Sequence, residues 1–446
     1  MQDNDFVCII VLSKMVKVHS LVICMGLAGG LKVPLQRFEE TAAPSTRQLS
    51  SAVSNVSTSS MIPFSREAAL AAFAAASTTS MTTVGAVYYI GPITIGSQTF
   101  QTIYDTGSNL IWVPASSCAT CGDNHSKYTS APNSGESNKF SINYFSGSVS
   151  GKVATTSVSL AGASLSSFQV GLVDSVGIPN YSRAAFDGVC GLAWSSLSDG
   201  EIPSLVPALF AAGQISANLF TIFLDPNGGN GELNIGNIDS SKYTGEIAYL
   251  PLVAETWWKI SLNGFAVKSS DDGNVSSLSY YSAIVDSGSS LIVGPIEEIT
   301  QIIAAIEESG TSVFIAQESS SFYVPCTSSL PELNITISGS DRQAYYFYMP
   351  GTALLMRPSG GSLVCQLALQ GHTINSDYPD WILGVPFMRS FYTVFDYIQS
   401  RVGLAVPSEA EVVSKIEKGN VVPSGAASFS TLSLILFVLV AGLMVV

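Results

Sequence analysis

Tyr104-Asp105-Thr106-Gly107-Ser108 and Val285-Asp286-Ser287-Gly288-Ser289 decide the reading of this 446-residue chain. In each, an apolar run stops abruptly at Asp, followed by a hydroxyl residue, Gly and Ser. The two stretches lie 181 residues apart. Each has an echo downstream: Val189-Cys190-Gly191 after the first and Ile382-Leu383-Gly384 after the second. A pattern that occurs twice predicts two similar halves, each presenting one carboxylate at the end of a strand. The Gly after each Asp-hydroxyl pair permits a tight turn that can bring the two loops together.

The texture around these stretches is that of an all-β body. From residue 86, short β-branched and aromatic runs such as Tyr88 to Ile90, Phe100 to Tyr104 and Leu110 to Val113 alternate with Gly and Pro. Two helices interrupt them, Ser204 to Ala212 and Ile296 to Ser309, the second with Pro295 at its start. Strand texture runs to about Pro407. Only 12% of residues are charged, about half the usual ~25%. The net charge is −14, which argues against nucleic acid or an anionic lipid surface as a partner. Few ionised groups also suit work at low pH, where protonation of paired carboxylates unfolds many proteins.

The charge is uneven. Residues 1–85 carry six Lys/Arg and five Asp/Glu, whereas the rest carries thirteen and twenty-eight. Residues 1–30 read as a secretory signal: Lys14 and Lys17, an apolar run from Leu21 to Leu27, then Ala28-Gly29-Gly30. Residues 31–85 read as a prosegment and linker, Ser-rich in its later part, with an Ala-rich helix over Arg66 to Ala76. At the other end, residues 408–423 are expected to be a stalk. No charge follows Lys418; small residues at Ser424, Gly425 and Ala426, a spacer, and an apolar run from Leu434 to Val446 make a GPI-attachment signal. A transmembrane anchor is the rival, but the run is short and no Lys/Arg follows it.

Of seven cysteines, Cys8 and Cys24 fall in the leader. In an oxidising compartment the economical pairing of the others is Cys118–Cys121 and Cys326–Cys365, with Cys190 buried and free. A zinc site at Cys118 and Cys121 would need two more ligands, and only His125 is near. Asn124, Asn180, Asn274 and Asn334 open sequons, as expected for a secreted chain.

Elimination narrows the chemistry. Three histidines, one of them in the leader, leave little for a Ser/His or Cys/His mechanism. No G-x-S-x-G elbow is present, and no cofactor fingerprint or metal-ligand cluster appears. The carboxylates remain. Two carboxyls in hydrogen-bond contact cannot both ionise cheaply, so one can take a proton from water while the other donates to a peptide carbonyl. Thr106 and Ser287 can each offer a hydroxyl to the opposite loop, and Ser108 and Ser289 can orient the carboxylates. A lone Asp-Thr-Gly is more often an ordinary Asp turn; two of them, each with its echo, are specific.

Residues 103–114 (IYDTGSNLIWVP), 186–193 (FDGVCGLA), 284–291 (IVDSGSSL), 381–384 (WILG) and 395–396 (FD) together resemble the pepsin-like aspartic proteases. The resemblance spans about Ala86 to Pro407. It implies two β-rich lobes, about 86–245 and 246–407, around a cleft, with Asp105 and Asp286 as the catalytic dyad. It implies a zymogen of an endopeptidase acting on peptide or protein substrates at acid pH, without cofactor or metal. It also places residues 140–149 (FSINYFSGSV) in a hairpin flap, with the Tyr144 hydroxyl reaching Trp112, and gives the same two disulfides. Phe145 stands where the flap usually has Gly, which should stiffen the tip or narrow the cleft. Ser287 and Ser289 replace the more usual threonines with the hydroxyls kept. Since Asp105, Asp286 and Tyr144 are all present, an active enzyme is expected rather than a catalytically dead binding protein or a surface scaffold. With the two terminal signals, the expectation is a monomer, lipid-anchored on the outer membrane face or in an acidic vesicle.

Overall fold

The computed structural model describes residues 77–84, 88–130, 132, 139–144, 146–198, 201–267, 275–277, 281–316, 321–339, 341, 343–357, 363–373, 381–408 and 414–421. The leader, the Ala-rich segment, Phe145, Asn274 and the C-terminal signal lie outside them.

The duplication seen in the sequence is a duplication of strand topology. In the first half, Gln98–Asp105 runs parallel to Gly188–Gly191, with Asp105 opposite Gly191. That second strand is antiparallel to Ile111–Pro114, which in turn runs parallel to Ala163–Val176. In the second half, Tyr281–Val285 runs parallel to Trp381–Leu383, with Val285 opposite Leu383. Trp381–Leu383 is likewise antiparallel to Ile292–Pro295, which runs parallel to Val364–His372. Each echo is therefore the strand slotted between the Asp-bearing strand and the one that follows it. Its Gly is required by close approach of backbone: a Cβ at Gly191 would lie 2.5 Å from the Asn109 carbonyl carbon, and one at Gly384 2.2 Å from the Leu291 carbonyl oxygen.

A shared antiparallel sheet joins the halves, in the order Ser77–Val84, Gly231–Ile235, Leu219–Leu224, Tyr392–Asp396, Arg401–Pro407, Tyr243–Glu255. Its central pair crosses from one half to the other, with Phe220 opposite Phe395 and the rings stacked at 4.6 Å. Alternation of apolar side chains along such strands buries one face in the common core. Trp258 and Tyr397 continue that core upward, and both bind the Leu192 carbonyl, at 3.0 and 2.7 Å. Leu192 N–H in turn donates to the Asp105 carbonyl at 2.8 Å. The floor of the molecule is thus hydrogen-bonded to the backbone of the first Asp.

Both expected helices form, as Leu205–Ala211 and Ile296–Glu308. The second buries Ile299, Ile302, Ile303 and Ile306, the i, i+3, i+4, i+7 stripe of a surface helix, and sets Glu297 and Glu298 at its dipole-favoured start. A short helix, Val385–Ser390, had no periodic signal and is buried along its whole length. Disulfides join Cys118 to Cys121 and Cys326 to Cys365, and Cys190 is a buried free thiol.

Three boundaries differ from the expectation. Ser77–Val84, read as linker, is an edge strand of the shared sheet that also pairs with Tyr88–Ile95, and Met81 is fully buried. The lobe boundary at 245/246 falls inside the continuous strand Tyr243–Glu255. Within the supposed stalk, Lys415–Val421 is a strand added to Gln343–Met349. It is held by Lys418 against Asp341 at 2.6 Å, by Glu417 accepting from the Tyr348 hydroxyl at 2.9 Å, and by Gly419, where a Cβ would meet the Tyr346 ring at 2.5 Å.

Asn124 and Asn180 are exposed, Asn180 in a left-handed turn. Asn334 is different. It sits half-buried in the interior strand Leu333–Ser338, its amide oxygen enclosed without a hydrogen-bond partner among the described residues. That is not the exposed loop a glycan needs.

Candidate active site

The two catalytic-type turns grip one another through their second residues. Thr106 N–H donates to Ser287 Oγ at 3.0 Å, and Ser287 N–H donates to Thr106 Oγ1 at 2.9 Å. Each hydroxyl then donates across the interface to the carbonyl directly before the opposite Asp: Thr106 Oγ1 to Val285 O at 2.8 Å, Ser287 Oγ to Tyr104 O at 2.6 Å. Both side chains are buried. Only a short hydroxyl residue can accept and donate in this space, which is why Thr and Ser serve alike.

This grip presses the two Asp residues together. A Cβ at Gly107 would come within 2.8 Å of the Asp286 carboxylate, and one at Gly288 within 2.3 Å of Asp105 Oδ1. The glycines are therefore needed for the approach of the opposite carboxylate, and neither lies in the left-handed region expected of a tight turn. Each carboxyl thus lies against the turn that carries the other. Gly107 N–H donates to Asp105 Oδ1 at 2.8 Å and Gly288 N–H to Asp286 Oδ1 at 2.9 Å.

The symmetry ends at the serines. Ser108 Oγ donates to Asp105 Oδ2. Ser289, expected to do the same for Asp286, donates instead to Leu291 O at 3.1 Å. The consequence is electrostatic. Burial raises both carboxyls above the ordinary Asp value, but the Ser108 and Gly107 bonds hold Asp105 down, whereas the neighbouring Asp105 charge pushes Asp286 up further. Two carboxyls this close cannot both ionise cheaply, behaviour for which aspartic-protease dyads are the standard example, and the stronger upward push falls on Asp286.

Tyr144 ends the strand Lys139–Tyr144 and pairs with Gly147 across a two-residue tip. Its hydroxyl accepts from the buried Trp112 Nε1 at 2.8 Å. Burial, then the Asp105 charge, keeps the phenol protonated far above neutrality, so it is a donor at every relevant pH. Trp112 comes from Ile111–Pro114, the strand next to the first echo, so one lobe supplies both partners.

Sequence reasoning missed Trp257. Its indole N–H donates to the Gly107 carbonyl at 3.0 Å, tying the first hairpin of the second lobe to the turn after Asp105. The consecutive Trp257-Trp258 pair was the available signal: Trp258 faces the core and Trp257 the site. Cys190, beside Tyr104 in register, is kept a neutral thiol by burial and by the Asp105 charge.

Residues 88–407 match the family model described as eukaryotic aspartyl protease. The chain belongs to that family. It is 32% identical over 391 residues to cathepsin D of Dictyostelium discoideum, covering 85% of this chain and 95% of that one. It is 32% identical over 335 residues to pepsin A of Bos taurus, 71% and 83% of the two chains, and 30% identical to gastricsin of Cavia porcellus over 331 residues, 71% and 79%. The protein is an aspartic endopeptidase with a pepsin-like all-β fold, acting on peptide or protein substrates. The Lys415–Val421 strand lies beyond the stretch that matches the family model.

Proposed function

We propose that Asp105 and Asp286 carry out the hydrolysis. The observation that supports this is the close approach of the two carboxyls, each lying against the glycine of the opposite turn, held by the reciprocal Thr106–Ser287 bonds. A water molecule between them gives a proton to ionised Asp105 as its oxygen bonds to the scissile carbonyl carbon, and Asp286 donates its proton to the carbonyl oxygen. The tetrahedral diol then collapses: one hydroxyl gives its proton to ionised Asp286, protonated Asp105 gives its proton to the leaving nitrogen, and the C–N bond breaks, which restores the starting protonation of the pair. Tyr144, locked by Trp112, closes over the substrate from the first lobe. Maximal activity requires one carboxyl charged and one neutral, so kcat/KM follows a bell in the acid range. A profile that stays flat to neutrality, or that is unchanged in Asp105→Asn, contradicts these roles.

The enzyme is made as a zymogen in the secretory pathway, with the leader at residues 1–30 and the prosegment ending upstream of Ser77. That limit follows from Ser77–Val84, whose removal would strip an edge from the shared sheet. Glycans attach at Asn124 and Asn180. The tail carries a GPI anchor at Ser424, Gly425 or Ala426, placing the monomer at the outer membrane face or in an acidic vesicle. Val421 pairs with Gln343 on the second lobe and only Val422 and Pro423 separate it from Ser424, so the catalytic body rides close to the lipid instead of on a stalk.

A further inference from the structure

The strand Trp258–Val267 sends Trp258 and Ile260 into the core, and by alternation Trp257 and Lys259 share the opposite, half-exposed side. Trp257 is pinned there by its bond to the Gly107 carbonyl. Lys259 N–H donates to the Trp257 carbonyl at 2.7 Å, and its ammonium stands 5.4 Å from the centre of the Trp257 ring. An indole beside the dyad thus carries a cation on its face.

The body of the chain is strongly acidic. Residues 86–424 contain twenty-eight Asp/Glu against thirteen Lys/Arg, yet Lys259 forms no ion pair among the described residues, whereas Lys242, Lys415 and Lys418 all do. Glu255, the acid on the same hairpin, accepts from the Ser400 hydroxyl at 2.5 Å. The elements packed against this strand also carry Tyr243, Glu246 and Tyr249 on the preceding strand, Arg401 on Arg401–Pro407, Tyr281 on the strand that pairs with Lys259, and Glu297, Glu298, Glu307 and Glu308 on the helix Ile296–Glu308. The groups that set the dyad's protonation are burial, backbone N–H donors, Ser108 and each other, with no part for Lys259.

We propose that Lys259, laid on Trp257 beside the Gly107 turn, selects an acidic side chain in the peptide substrate at the position that packs on this indole. The inference rests on the protease reading above. The substrate side chain lies along the ring and its carboxylate meets the ammonium, a contact open to solvent and therefore of modest strength.

The test uses the mature enzyme and a set of peptides with a fixed apolar pair at the cut. Each of the three residues on either side is set in turn to Glu, Gln or Lys. At pH ~5.5, where a peptide Glu is ionised, one position should favour Glu over Gln in kcat/KM by about twofold to fivefold, the range of an exposed ion pair. Lys259→Gln should bring that ratio to one, and Lys259→Glu should turn the preference toward the Lys peptide. In wild type, ~1 M salt should level the ratio without any substitution, since it screens exposed charges within a few ångströms. No Glu preference at any position in wild type, or a preference that survives Lys259→Gln, overturns the proposal while leaving the protease reading intact. Failure of wild type to cut any of the peptides overturns both.

Discussion

At the scale of the residue, the site is a set of short polar contacts whose loss has separable effects. Thr106→Val leaves Ser287 N–H and the Val285 carbonyl, both buried, without their partner. That should cost about 1–3 kcal/mol per stranded group in urea unfolding, and activity should fall with it. Gly288→Ala acts differently, because its Cβ would displace the Asp105 carboxylate from 2.3 Å. Its kcat should drop at least ~10²-fold, on the scale of lost acid–base catalysis, with a smaller change in unfolding midpoint than Thr106→Val.

The protonation of the dyad also has a stability consequence. A carboxyl whose folded-state pKa is raised contributes stability that is complete below the unfolded value, near 3.8, and is lost as pH rises through the folded value. Wild type should therefore lose melting temperature between pH ~4 and neutrality. Asp286→Asn should lose less over the same window, measured by calorimetry of the mature protein. What was legible at this scale was the carboxylate pair and the crossed hydroxyls, because short motifs in duplicate leave few other roles. The divergence of Ser108 from Ser289 was not legible: the two motifs match in sequence, and only the path of Leu291 gives Ser289 another acceptor.

At the scale of the element, the strands carrying chemistry announced themselves through Gly and the end of apolar runs. The peripheral strands did not. Ser77–Val84 reads as linker because Ser and Thr dominate it, yet β-branched Thr and a single buried Met81 suffice on an edge strand. Lys415–Val421 reads as stalk because Lys, Glu and Gly are poor strand formers. Its stability comes from partners 70 or so residues earlier, such as Tyr348, 69 positions before Glu417. Deleting residues 414–421 should uncover the edge of Gln343–Met349, lowering the melting temperature and promoting association through the exposed edge. Light scattering at neutral pH checks the second effect. Trp112→Phe removes the donor that fixes the Tyr144 hydroxyl; kcat/KM should fall about tenfold, from loss of roughly one hydrogen bond, with folding little changed.

At the scale of the whole molecule, two lobes of like topology meet over one shared sheet, and the dyad sits where their Asp-bearing strands end face to face. The bilobal fold was readable from the repeat. The way the lobes are welded was not, since Phe220 against Phe395 and Tyr397 against the Leu192 carbonyl join residues more than 170 positions apart. Attachment to the membrane belongs to this scale as well. If the tail carries a GPI anchor, a phosphatidylinositol-specific phospholipase should release active enzyme from membranes that a high-salt wash leaves loaded, whereas retention after the phospholipase favours a transmembrane anchor.

The central claim, that two opposed carboxyls hydrolyse peptides together, is met most directly by cleavage of a denatured protein at ~pH 4 with wild type and Asp286→Ala, both freed of the prosegment. Cutting by wild type and none by the variant is the expected result. Equal cutting by both, or silence from both with the fold intact, would contradict it.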